Sequence, residues 1–179
     1  MKSRTETALV KLQQGDQDGL TDLYEVTSRA VFAFTLSVIA DYQLAEDIMQ
    51  ETYIRVYQSI DSYRKGTNGL SWILTIAKNI ALTMLERRQR EERIDFDAQH
   101  ERAGATVEVP NFENPTIDLA KKILPEDEQQ ILFLYAIGEY KHREIADLLG
   151  LPLGTVTWKY QIAIKKMREH LKKGGQNDE

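Results

Sequence analysis

The sequence predicts an all-α protein made of two small helical domains joined by a flexible linker. Three observations carry this. Apolar residues recur at three- and four-residue intervals along most of the chain, with almost no alternating, strand-like run. That periodicity lapses over residues 92–114, where Gly104, Pro110 and surplus acid collect, and resumes beyond Pro115. Near the C-terminus, two amphipathic stretches meet at Gly150 in the arrangement of a helix-turn-helix.

Composition narrows the function classes. A chain of 179 residues can bury enough surface to fold unaided as one or two domains. It has no cysteine, which rules out disulfides and thiolate metal sites. His100, His142 and His170 lie apart, without metal-ligand spacing. No metal or cofactor is expected. No apolar run reaches the ~20 residues of a membrane span, and the start MKSRTETALVKLQQGD lacks a signal peptide's apolar core, so a cytoplasmic protein is expected. The net charge of −5 argues against strong indiscriminate DNA affinity. Its distribution is uneven, however. Glu92, Asp95, Asp97, Glu101, Glu108 and Glu113 crowd the middle of the chain, while Arg87, Arg88 and Arg90 and the last helix are basic.

The elements follow in order. Thr7 to Gln14 reads as a short amphipathic helix ended near Gly15. Asp16 or Asp18 can cap a second helix running to about Ala40, whose AVFAFTLSVIA segment is apolar nearly all round and suits a domain centre. Asp41 opens a third helix, with Leu44, Ile48, Thr52 and Val56 on one face and Glu46, Asp47, Gln50 and Glu51 on the other. Asp61 to Gly69 is polar and glycine-containing, hence a loop. A fourth helix, Ser71 to Gln89, turns Trp72, Ile73, Ile76, Ile80 and Met84 inward and ends in ERRQR. Trp72 at such a position packs rather than stacks on a ligand. Ile117 to Leu124 resumes helix, and Pro125 followed by three acids starts another, running through Ile137 and ended by Gly138. The expected division is 1–91 for the first domain, 92–116 for the linker, 117–173 for the second domain and 174–179 for a disordered tail.

In the second domain, His142 to Leu149 places Ile145, Leu148 and Leu149 on one face and stops at Gly150, which tolerates the left-handed closing conformation. Pro152 restarts the chain. Val156, Tyr160, Ala163, Ile164, Met167 and Leu171 form the next helix's inner stripe. Small Ala146 lets the helices approach, and Val156 fills the gap. Such a second helix usually enters the DNA major groove. An ordinary helical hairpin with a basic solvated face is the competing interpretation.

The motifs together resemble the extracytoplasmic-function (ECF) sigma factors. AEDIMQETYIRVY resembles region 2.2, SWILTIAKNIALTMLERRQR resembles regions 2.3 and 2.4, and LPEDEQQILFLYAIGEYKHREIADLLGLPLGTV resembles region 4. The likeness spans residues 8–172, and nothing resembles regions 1.1 or 3. It implies a promoter-specificity subunit that binds the clamp helices of core RNA polymerase, reads −35 and −10 promoter DNA, promotes strand opening, and is held in check by an anti-sigma factor.

Under that resemblance, Glu46, Asp47, Gln50 and Glu51 would dock on polymerase. Tyr63, Arg64, Asn68, Lys78, Asn79, Arg87 and Arg88 would serve the −10 element, with the arginines tracking phosphates and the loop holding an unstacked base. Thr155, Thr157, Trp158, Lys159, Gln161, Ile162, Lys165 and Lys166 would serve the −35 element. There Gln161 can pair with adenine, threonine methyls can touch thymine, and Lys159 and Lys166 would reach phosphates. Three departures stand out. Ile162 beside Trp158 makes an apolar, arginine-poor reading face, Lys141 occupies a position that serine commonly caps, and Gly69 replaces a common aromatic. No catalytic constellation or phosphate loop is present, so no enzyme activity is expected. A free-standing helix-turn-helix regulator and a helical adaptor without DNA contact remain the other readings.

Overall fold

The computed structural model describes residues 2–39, 41–99 and 115–174. Two groups of four helices share one apolar core. In the first group, α1 (Lys2–Gln13) and α2 (Asp18–Ile39) form an antiparallel hairpin, followed by α3 (Tyr42–Gln58), a single 3₁₀ turn (Ile60–Ser62) and α4 (Gly69–Gln99). The α1–α2 crossing is tight at Gly19, where a Cβ would stand 2.6 Å from the Leu12 nitrogen. Helix α2 is buried along most of its second half, as its all-round apolar sequence predicts, and α3 and α4 pack on it. Asp41 caps α3 by accepting the Leu44 N–H at 3.0 Å.

The second group is α5 (Pro115–Ile123), α6 (Glu126–Ala136), α7 (His142–Leu149) and α8 (Leu153–Gly174). Gly150 closes α7 at φ 67°, and the Leu151 N–H returns to the Ala146 carbonyl at 3.0 Å. Lys141 gives α7 no side-chain cap, but Glu144 accepts the Lys141 N–H at 2.9 Å and makes half of a capping box.

Two expectations are corrected. Helix α4 does not stop at Gln89 but runs to Gln99, because EERIDFDAQ holds neither glycine nor proline and is rich in residues that favour helix. The helix therefore takes up the first part of the expected linker, while 100–114 lies outside the described residues, as does most of the expected tail, 175–179. The second correction concerns Tyr63, which was assigned to the −10 surface. It is only 4% exposed and belongs to the core.

The two groups pack together through α6 on α2. At the surface of their junction Arg29 pairs with Glu139. The Lys121 Nζ donates to the Ile39 carbonyl and the Ser71 Oγ to the Leu148 carbonyl, each at 3.3 Å.

Candidate functional site

The helix-turn-helix buries Ile145, Ala146, Val156, Ala163 and Met167, which fixes the face that α8 turns outward. On that face Gln161 and Lys165 are exposed, and Trp158 is 58% exposed. Thr155, Thr157 and Ile162 are half-buried, so Ile162 stands less free than its position off the inner stripe suggested. Thr157 Oγ1 lies 3.4 Å from His142 Nδ1, and the His142 ring packs with Tyr135 and Tyr160, propping the start of α7 on α6 and α8.

The lysines divide. Lys165 reaches solvent with only a loose 3.9 Å contact to Glu169 on its own helix. Lys166 is bound by both oxygens of Glu128 at 2.9 Å, and Lys159 is paired with Asp127. Lys159 also lies 5.8 Å from the Trp158 ring centre. The Asp127 carboxyl is held below its usual range, chiefly because Lys159 donates to it. The acids of the first turn of α6, legible in sequence as a helix start, thus also engage two lysines predicted to reach phosphate.

On α3, Glu46, Asp47 and Gln50 are exposed and Glu51 is half-buried, accepting from Arg55 Nε at 3.1 Å. The acidic face runs on into Ile54 and Tyr57, 51% and 50% exposed. Sequence reasoning missed these two. Their signal was that both fall outside the inner stripe Ile48–Thr52–Val56.

Along α4, Lys78, Asn79, Arg87 and Arg88 are all exposed. Arg88 lies 3.6 Å from Asp41. An open groove of about 530 Å³ runs between α3 and α4, with Glu51 and Arg55 on one wall and Asn79, Met84 and Arg87 on the other. It joins two sets of residues that the sequence assigned to different partners. At the head of α4, Asn68 Oδ1 accepts the Ser71 N–H at 3.2 Å, so Asn68 also caps the helix. Arg64 and its neighbour Lys65 stand in solvent. Trp72 is half-buried with its ring 5.2 Å from Tyr63, packing as expected.

The class is thus an all-helical bundle with an acidic face on α3 and a basic outer face on α4, packed against a helix-turn-helix. Residues 23–91 match the Sigma-70 region 2 family and residues 116–167 match Sigma-70, region 4. The chain is 31% identical over 168 residues to the ECF RNA polymerase sigma factor EcfG of Rhodopseudomonas palustris, covering 90% of each. It is 22% identical over 185 residues to SigW of Bacillus subtilis, covering 96% of this chain and 99% of that one. Two solved structures share the fold. One is the sigma factor RpoE of Bartonella quintana in complex with the anti-sigma factor NepR (TM-score 0.59, 22% identity, covering 87% of this chain and 98% of that one). The other is CnrH with the cytosolic domain of CnrY (TM-score 0.63, 17% identity, 94% and 97%). The chain belongs to the ECF RNA polymerase sigma factors.

Proposed function

We propose that this alternative sigma factor divides its work among three surfaces. The exposed edge of α3, formed by Glu46, Asp47, Gln50 and Glu51 with Ile54 beside them, docks on the clamp helices of core RNA polymerase. The loop before α4 and the outer face of α4, through Arg64, Asn68, Lys78, Asn79, Arg87 and Arg88, take the −10 strand. Helix α8, through Thr155, Thr157, Trp158, Gln161, Ile162 and Lys165, reads −35 DNA. The observation that carries this is the order of the two family matches along a chain whose corresponding faces are open to solvent. Residues 1–91 and 117–173 act as the two working units.

Lys159 and Lys166 support the −35 surface from behind. Their partners Asp127 and Glu128 already neutralise them, so they steer α8 more than they hold phosphate. The part this protein plays in initiation is non-catalytic, because opening needs only tighter binding to splayed strands than to duplex. An anti-sigma factor is its proposed regulator. One neighbour in fold is a sigma factor in complex with an anti-sigma factor, and Leu153, Trp158 and Leu171 leave apolar surface for a protein to cover. Among the described residues no helix is long and apolar enough to cross a membrane, and we place the protein with the transcription machinery in the cytoplasm.

Transcription from a genomic promoter library by purified core polymerase, with and without the protein, tests this. New start sites preceded by a shared −35/−10 pair are expected. Tight duplex binding by the protein alone, with no new initiation, would favour a free-standing regulator instead.

A further inference from the structure

The loop between the 3₁₀ turn and α4 has little regular structure to hold it, yet α1 grips it at several points. Gln13 Nε2 donates to the Ile60 carbonyl at 3.0 Å and to the Tyr63 carbonyl at 2.9 Å. The Glu6 carboxylate accepts the Gly66 N–H at 2.9 Å through one oxygen and the Tyr63 hydroxyl through the other. Gly69 sits so close to α1 that a Cβ there would fall 2.5 Å from Leu9 Cδ1 and 3.4 Å from Thr5 Cγ2. The absence of a side chain at Gly69 thus serves close approach to α1.

One face of α1, from Thr5 through Glu6 and Leu9 to Gln13, is therefore the floor of the loop. With Tyr63 buried beneath, Arg64, Lys65, Gly66 and Thr67 remain as the exposed rim. Gly66 turns that rim at φ 83°, and its N–H is the atom that Glu6 binds. Helix α1 lies ahead of the residues matched by the region 2 family, 23–91.

We propose that Glu6, seconded by Gln13, is a positioning residue for promoter strand capture: by holding Tyr63 and Gly66 together it fixes the turn that presents Arg64, Lys65 and Asn68 to the −10 strand. The inference rests on reading this loop as the −10 surface.

Charge gives it a clear sign. Glu6 is an acid beside a nucleic-acid surface, so electrostatics alone predicts tighter DNA binding when it is neutralised. Positioning predicts the reverse. Loss of two hydrogen bonds to a charged acceptor should weaken strand capture by about tenfold.

The test uses holoenzyme formed from core polymerase and the full chain, with a fluorescent single-stranded oligonucleotide carrying the mapped −10 sequence. E6A should lose about tenfold in oligonucleotide affinity and open promoter more slowly, while core binding and duplex −35 binding stay at the parental level. E6Q keeps an acceptor for the Gly66 N–H and should fall between E6A and the parent. If E6A fails to fold, E6Q decides alone. Either variant binding the strand as tightly as the parent, or tighter, overturns the role of Glu6. So does an equal loss of core, −35 and −10 binding in E6A, which would make Glu6 a general support of the fold. A parental holoenzyme that neither binds the oligonucleotide nor opens promoter would instead remove the reading of the loop itself.

Discussion

Ser71, in the first turn of α4, donates its hydroxyl to the Leu148 carbonyl near the end of α7, at 3.3 Å. The contact lies where the helix-turn-helix meets the loop before α4, and Glu144 and Asp147 line a pocket there together with Asn68 and Gly69. This packing bears on the proposed reading of two promoter elements at once. Elements centred near −35 and −10 lie about 25 base pairs apart, roughly 85 Å of B-DNA at about 3.4 Å per base pair. If α4 takes the −10 strand and α8 the −35 duplex, as proposed, the two groups of helices part on the promoter.

Arg29 and Glu139 offer the means to check it, because the chain has no cysteine of its own. Joining R29C to E139C with a short, reducible bismaleimide should leave core binding through α3 intact and abolish transcription from two-element promoters. Reduction should restore it. Full activity of the cross-linked protein would mean that the packed arrangement persists during initiation.

Asp47 is exposed on α3, with no partner needed for the fold. Asp47→Arg should change stability by no more than about 0.5 kcal/mol. If α3 docks on the polymerase clamp helices as proposed, it should nonetheless abolish binding to core polymerase, since a charge reversed at the centre of an acidic docking face costs several kcal/mol, on the order of a hundredfold or more in affinity. Competition for core against a labelled sigma factor measures it, with a thermal melt as the control. Unchanged competition would remove α3 as the docking face.

What the sequence disclosed and what it hid divide along physical lines. Periodicity and turn chemistry are local, so the helices, the Asp41 cap, the left-handed Gly150 and the inner stripe Val156–Ala163–Met167 were all legible, but Leu171, expected on that stripe, is 60% exposed because α8 runs past the helices it packs on. The hidden features depend on partners far along the chain. Tyr63 read as a polar-loop aromatic because nothing nearby announces Glu6, which receives its hydroxyl, or Trp72, which covers its ring. Lys159 and Lys166 read as free cations because Asp127 and Glu128 belong to another helix. The packing of α6 on α2 has no local signature, since each apolar face would be equally content inside its own domain.

That division of the lysines separates a proposed DNA contact from a structural ion pair. Lys165→Ala should lower the slope of log affinity against log salt for −35 duplex by about 0.9, the value for one lost phosphate contact. Lys166→Ala should leave that slope nearly unchanged and lower stability instead, by about 1–3 kcal/mol, because it strands the buried Glu128. Gln161→Ala should cost about 1–3 kcal/mol on the cognate −35 sequence and little on others. Equal salt slopes for the two lysine variants would show that Lys166 leaves Glu128 for phosphate on binding.

Alkaline pH offers an independent test of the floor under the loop before α4. Burial, followed by the bond to Glu6, pushes the Tyr63 hydroxyl up to about 12, and burial raises Tyr53 and Tyr140 further still. An unfolded tyrosine ionises near 10. Above about pH 10 the unfolded chain therefore releases these protons while the folded chain keeps them, so stability is fully present below pH 10 and is lost as pH rises toward 12. The melting temperature should fall steeply over that window. Lysines titrate there too, so the diagnostic is the variant: Tyr63→Phe keeps the ring against Trp72 but has no proton to lose. It should start less stable at neutral pH, lacking the bond to Glu6, and then fall less steeply between pH 10 and 12. A parallel fall for the two proteins would mean that the Tyr63 hydroxyl titrates as if exposed, and that Glu6 does not hold it in solution.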